Sequence, residues 1–268
     1  MTKTSSPTEA VCGQDRQWFI ENFGSASQLE SKIIPDILGK APCRPGRTFF
    51  PVTIPQDSLE ALRKRLPYPE DIVLGTAFGI TLSVWSADSK ACFAFSWEGC
   101  PELPVYVEWA PGAPLHAILD SVSRRFDGVK EHPGFTYEEA ARELELDRSV
   151  FLGGPSAPEE CTLGEDVDLA FWWSPEGIEV VYRREKYSED ILRQFVQSFS
   201  ACLSSMSGAD TVDDLVFATD GQVSQVEGFN PPAVDFDPDL TLLDLFRENV
   251  GRNPGNPAVV YKGTMLSY

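Results

Sequence analysis

Residues 70–87, EDIVLGTAFGITLSVWSA, are apolar nearly all the way round a helix, with Ile72, Val73, Phe78, Ile80, Leu82, Val84 and Trp85 leaving no continuous polar stripe. Such a helix has no face to offer water and belongs in a core, between layers. Whatever else the chain does, it must build the sheet and the further helices that enclose this segment.

The flanking patterns supply them. In RTFFPVTIPQ (47–56), Phe50, Val52 and Ile54 alternate as in a strand, and Pro51 pushes that strand to a sheet edge. DSLEALRKRL follows as a helix, with Asp57 and Glu60 spaced for a capping box, Leu59, Leu62 and Leu66 on one face, and Arg63, Lys64 and Arg65 at the negative end of the dipole. ACFAFSWEG and LPVYVEWAP read as strands. PLHAILDSVSRRFDGV is a helix through Leu115, Ile118, Leu119, Val122 and Phe126. TYEEAARELEL opens on a Thr136/Glu139 capping box, and SVFLGG is a short strand. DVDLAFWWSPEGIEVVYRREKY is a hairpin turning at Pro175-Glu176-Gly177. A helix from Ser188 carries Ile191, Leu192, Phe195, Val196, Phe199, Leu203 and Met206 on one stripe, with Gly208 closing it. At the front, residues 1 to about 15 are Ser/Thr-rich and expected to be disordered, with a short leader helix over 15–23. Together these predict an α/β domain: a two-layer mixed sheet with covering helices.

With 22 Lys+Arg against 41 Asp+Glu, the formal charge is −19, which speaks against nucleic acid or an anionic membrane as partner. The N-terminus lacks the apolar core of a signal peptide, and no apolar run approaches a membrane span, so a cytoplasmic chain is expected. The six cysteines (Cys12, Cys43, Cys92, Cys100, Cys161, Cys202) form no C-x-x-C pair and read as small buried or surface thiols. Only Cys92 and Cys100 are close in sequence.

Catalytic signals are sparse. The two histidines, His116 in a helix and His132 before a proline, have no neighbour at catalytic spacing. There is no nucleophile elbow, zinc-protease motif or Walker loop. FLGGPSAPEE makes a plain turn rather than a phosphate cradle. Asp166 and Asp168 would share a strand face, which could hold a metal but without a third ligand reads as solvated. Trp18, Trp85, Trp97, Trp109, Trp172 and Trp173 suggest a stacking platform, yet most sit in apolar segments and suit packing better. No catalytic, cofactor-binding or metal-binding residue is assigned.

The family signal comes from the order of segments. LTLLDLFRENVGRNPGNPAVVYKGTMLSY (240–268) resembles the start of an adenylation domain of a nonribosomal peptide synthetase: Leu242 to Phe246 match its opening helix, Pro254 and Pro257-Ala258-Val259-Val260 its first strand, and Leu266-Ser267-Tyr268 the element after it. It stops before any ATP-binding or substrate-pocket motif. Residues 47–232 resemble the C-terminal lobe of a condensation domain. There TFFPVTIPQDSLEALRKRL matches the opening strand and helix, and DIVLGTAFGITLSVWS the buried helix. His132-Pro133 stands at the "hqdvP" position, DRSVFLGG resembles "R-x-x-S-R-x-P-L-F", and the hairpin and last helix follow the closing pattern before GFNPP.

The resemblance implies one lobe of a chloramphenicol acetyltransferase-like condensation domain. The catalytic H-H-x-x-x-D-G motif belongs to the other lobe; here no two histidines are adjacent, and Asp127-Gly128 and Asp220-Gly221 stand without them. The implied organisation is a leader (1–46, partly disordered), a C-lobe-like domain (47–228), a Pro/Asp-rich linker (229–239) and the truncated start of an adenylation domain (240–268). Phe229, Asn230, Pro231, Pro232, Phe236, Leu242, Leu245 and Phe246 are the candidate linker and interface residues. Similar N-terminal pieces are found in aminoadipyl-cysteinyl-valine synthetases and some aminoadipate reductases, and the former are the nearer pattern. The expected role is a non-catalytic platform that stabilises or activates the adenylation domain following in cis. The alternatives are a docking domain for a carrier protein and a lobe completed in trans by a separate N-lobe. The fragment itself is expected to need no cofactor; ATP, Mg and phosphopantetheine are implied for its parent.

Overall fold

Twelve consecutive residues of the all-apolar helix, Ile72 to Ser83, are buried in the computed structural model of the chain. The structure describes residues 7–37, 45–52, 56–97, 102–154, 163–174, 176–230 and 239–268, without the side chains of 7–12 and 56–59. The Asp57 capping contact, the whole of Pro175, and the thiols of Cys12, Cys43, Cys100 and Cys161 lie outside the described residues.

The chain divides into two compact units, Met1–Val223 and Ser224–Tyr268. In the first, six strands form one sheet: β1 (Gly46–Pro51), β2 (Lys90–Ser96), β3 (Leu103–Glu108), β4 (Val150–Gly153), β5 (Leu169–Ser174) and β6 (Gly177–Tyr182). Their order is β1-β6-β5-β4-β2-β3. The sheet is mixed: β4 runs parallel to both β2 and β5, and the other pairs are antiparallel. β1 is an edge strand, as Pro51 requires, because proline cannot donate to a ladder. The β5–β6 hairpin closes with Ser174 opposite Gly177.

Period-two alternation splits each strand between two cores. Ala91, Phe93 and Phe95 of β2 join Val105 and Val107 of β3 and Phe171 of β5 on the first face. That face is covered by four helices: α2 (Gln56–Arg65), α3 (Glu70–Trp85), α4 (Leu115–Glu131) and α6 (Glu189–Ser205), where α1 and α5 are kept for the second face. Phe78 of α3 is the hub, its ring 5.0–5.6 Å from those of Phe93, Phe171, Phe195 and Phe199. A Cβ at Gly79 would fall 2.4 Å from Val107 Cγ2, so this glycine lets α3 lie directly on β3.

The second face carries Cys92, Ala94, Tyr106, Ala170 and Val181, and is covered by α1 (Pro7–Phe23) and α5 (Tyr137–Leu144). Helices thus cover both faces of the mixed sheet. The leader is where the sequence reading is corrected most: residues 7–14 continue the helix instead of being disordered, and α1 is part of the first unit. Its Phe19 and Phe23, one turn apart, are fully buried, and this anchorage supports the polar turns ahead of them. A second correction concerns Gly208. Helix α6 ends at Ser205 with Met206 in right-handed geometry, and Gly208 only donates its N–H to Ser205 O at 2.9 Å. The predicted caps hold elsewhere: Thr136 and Glu139 form a full capping box on α5, and Ser188 Oγ accepts from Ile191 N–H at 3.3 Å.

Helix α7 (Asp220–Phe229) spans the division between the units. The second unit then contains α8 (Leu242–Arg252), β7 (Pro257–Tyr261) and β8 (Thr264–Ser267). Thr241 and Asp244 form a capping box that starts α8. The hairpin turns through Lys262 and Gly263, both at positive φ (46° and 82°), the twist that suits a two-residue loop. Among the described residues no helix is long and apolar enough to cross a membrane.

Candidate functional site

The predicted interface residues are exposed wherever they are described. Phe229 ends α7 with 75% of its surface exposed, and the Asn230 amide folds back to donate to Val226 O at 3.3 Å. Pro231, Pro232 and Phe236 lie outside the described residues. On α8, Leu242 is 86% exposed, while Leu245 and Phe246 are about half covered by their own unit. The Phe246 ring rests 5.5 Å from Tyr268, which fastens the helix to the end of the hairpin. Val259, Val260, Tyr261, Met265 and Leu266 are exposed as well. A hairpin and a single helix have too little mass to bury these side chains against one another. Contiguous apolar surface of this kind marks a docking face.

On the first unit, His132 has a structural partner that sequence spacing could not reveal. Its Nδ1 lies 2.8 Å from Oδ1 of Asp15, whose other oxygen accepts from Gly134 N–H at 2.7 Å. The imidazole stacks on Trp18 at 4.8 Å. Gly128 of α4 completes the knot, since a Cβ there would fall 2.0 Å from the Trp18 indole. These four residues pin α1 to the end of α4, and His132 is thereby a positioning residue. His116 is exposed on α4.

The Asp166/Asp168 expectation is corrected. Both residues precede β5 rather than lying in it, and they do not act together. Asp166 is exposed, whereas Asp168 accepts from Arg183 Nε at 3.0 Å and from Lys186 Nζ at 2.6 Å. Asp168 therefore ties the start of the hairpin to its end. Among the described residues no group of His, Cys, Asp and Glu could hold a metal. Cys92 and Cys202 are free and buried, and burial pushes both thiols up to about 12, which removes their nucleophilicity near neutrality. The tryptophans serve packing: Trp85 meets Phe195, Trp97 meets Phe95, Trp172 meets Phe151, Trp173 meets Phe199, and Trp109 donates to Ser83 Oγ at 2.9 Å.

With this architecture in place, the chain can be compared with known proteins. No family model matches it. A stretch of 93 residues is 25% identical to part of the mycosubtilin synthase of Bacillus subtilis, covering 34% of this chain and 4% of that polypeptide. Among solved structures, the first condensation domain of the CDA synthetase superposes with a TM-score of 0.55 at 16% identity, over 78% of this chain and 53% of that one. The X-domain from teicoplanin biosynthesis, in its complex with OxyB, gives 0.59 at 12% identity over 78% and 56%. The fold is that of a condensation domain of the nonribosomal peptide synthetase type. The condensation-like chain spans about half the length of these two structures. The peptide synthetase FmoA3 in its AMPPNP-bound form superposes with a TM-score of 0.59 at 17% identity, and here the match extends over 96% of the condensation-like chain and 32% of FmoA3.

Proposed function

We propose that the first unit is a non-catalytic half of a condensation domain, lying directly upstream of an amino-acid-activating adenylation domain in a peptide synthetase, and that it acts as a platform for that neighbour. The observation that carries this reading is the step in coverage. Structures of condensation domains and X-domains match 78–80% of the chain, whereas FmoA3 matches 95–96%. The added share is about that of the second unit, Ser224–Tyr268. One FmoA3 structure carries alpha-methyl-L-serine-AMP, an aminoacyl adenylate.

The physical chemistry of the chain supports the same division of labour. The first unit closes its cores on both faces of the sheet with its own helices. The second leaves the apolar side chains of α8 and the β7–β8 hairpin in water, as the opening of a larger domain would. Without an adjacent pair of histidines, the first unit has no general base of the kind condensation needs. ATP, Mg and phosphopantetheine belong, in this reading, to the rest of the synthetase. A platform works by binding the folded or active state of its neighbour more tightly than the alternatives, which shifts the population toward that state.

The test is amino-acid-dependent pyrophosphate exchange and soluble yield of the parent polypeptide with and without residues 1–223, alongside titration with a carrier protein. Loss of exchange or yield on truncation supports the platform. Unchanged exchange and yield overturn it, and carrier binding confined to the longer form would favour a docking domain instead.

A further inference from the structure

A cavity of about 590 Å³ opens on the first unit between the end of α4, the 132–136 turn, the start of α5 and the first residue of β3. Its volume falls within the range of small-molecule sites. Leu103, Val129, Pro133 and Phe135 make most of its wall apolar.

Two polar groups in this wall lack partners. Tyr137 is only 6% exposed, and its buried hydroxyl has no hydrogen-bond partner among the described residues. The same is true of Arg148 Nε. The Arg148 guanidinium carbon lies 5.4 Å from the centre of the Tyr137 ring, so the two side chains are neighbours. Glu102 accepts from Arg148 Nη2 at 2.9 Å and holds the guanidinium in place while leaving Nε unused. Burial also raises the Tyr137 phenol well above its ordinary range, so it stays protonated and able to donate. Arginine has donors only, so whatever satisfies Nε must bring an acceptor. Buried donors left unmet are costly, and native proteins rarely keep them without water or a ligand.

We propose that this cavity is a binding site for a small acyl compound, an apolar body bearing a carboxylate or carboxamide oxygen. The oxygen accepts from Arg148 Nε and the Tyr137 hydroxyl, and the body lies against Leu103, Val129 and Phe135. The site is independent of the platform reading, because it uses only residues of the first unit.

Saturation-transfer NMR on the full chain with hexanoate, hexanamide and hexylamine tests it. Hexanoate and hexanamide are expected to bind, with hexylamine weaker by about tenfold, because an ammonium cannot accept from arginine. Tyr137→Phe keeps the ring and removes the unmet hydroxyl. It is expected to weaken hexanoate several-fold while leaving the melting temperature of the free chain unchanged or higher. Arg148→Lys is expected to weaken hexanoate by about tenfold, the scale of one hydrogen bond to a charged group. Silence of both acyl probes at tens of millimolar, equal binding of the amine, or unchanged hexanoate binding by Tyr137→Phe each overturns the proposal. Silence together with a lower melting temperature for Tyr137→Phe assigns the cavity to ordered water.

Discussion

At the scale of single residues, the contact between Trp18 and Gly128 is the least tolerant point of the fold. A methyl group at Gly128 must displace the indole that stacks on His132. Gly128→Ala is therefore expected to destabilise the first unit by about 1–3 kcal/mol, the usual cost of overpacking. A urea midpoint equal to that of the parent chain would sink this. The buried thiols set a pH dependence. Cys92 and Cys202 ordinarily titrate near 9.0 and are pushed up to about 12 in the folded chain by burial. Between those values the unfolded chain has released protons that the native chain still holds. Their contribution is thus complete below pH ~9 and is lost as pH rises toward ~12, at about 1.4 kcal/mol per pH unit for each thiol. Burial raises the Tyr106 and Tyr187 phenols too, adding to the loss further into the alkaline range. Urea midpoints should fall steeply between pH 8 and pH 10.5, and the Cys92→Ala/Cys202→Ala double variant should show a flatter dependence. A parent midpoint that stays level over that interval would contradict the assignment.

At the scale of elements, two choices decide where the helices sit. Gly79 lets α3 meet β3 without an intervening side chain, since its Cβ position is already occupied by Val107. Gly79→Ala gains helix propensity but must push α3 off the sheet, and the packing term wins because the neighbour belongs to a strand buried on both sides. The net expectation is a loss of about 1–3 kcal/mol, read by thermal denaturation; a stabilised variant would show that α3 can shift freely. Helix α6 depends on its cap. Ser188 Oγ accepts from Ile191 N–H, and Asp36 in turn accepts from Ser188 N–H at 2.8 Å. Ser188→Ala is expected to cost about 1 kcal/mol, and Ser188→Asn should recover part of it.

At the scale of the whole molecule, each unit poses a different question about cover. In the first, α1 conceals Cys92, Ala94 and Tyr106 on the second face of the sheet. Deleting residues 1–26 should expose that face, and Cys92 should then react with a thiol reagent under native conditions at a rate approaching that of a free thiol. Continued protection in the deletion would mean that α5 alone covers the sheet. In the second unit the apolar side chains of α8 and the hairpin remain in water. The chain should therefore self-associate at high concentration, and ending it at Val223 should abolish this in sedimentation experiments. A full chain that stays monomeric at every concentration would argue against a docking face there.

Local chemistry made most elements of the fold legible. The all-apolar 70–87 run, the alternation in each strand and the boxes at Thr136/Glu139 and Ser188 act within a few residues of themselves, so their outcome is written in adjacent letters. The candidate residues of α8 were legible as apolar for the same reason, and the structure leaves them exposed. Other features depend on residues more than a hundred positions apart. Asp15 looked like one acid in a polar leader, and only folding brings it to His132 and Gly134. Asp168 looked like half of an acidic pair until the hairpin returned Arg183 and Lys186 to it. The Tyr137–Arg148 cavity left no signal, because an unmet donor is defined by what fails to surround it. Sequence alone determined which segments become helices and strands, since propensity, period and capping are local. Tertiary structure alone decided which face each one covers and which polar groups find partners, because burial and pairing depend on every neighbour at once.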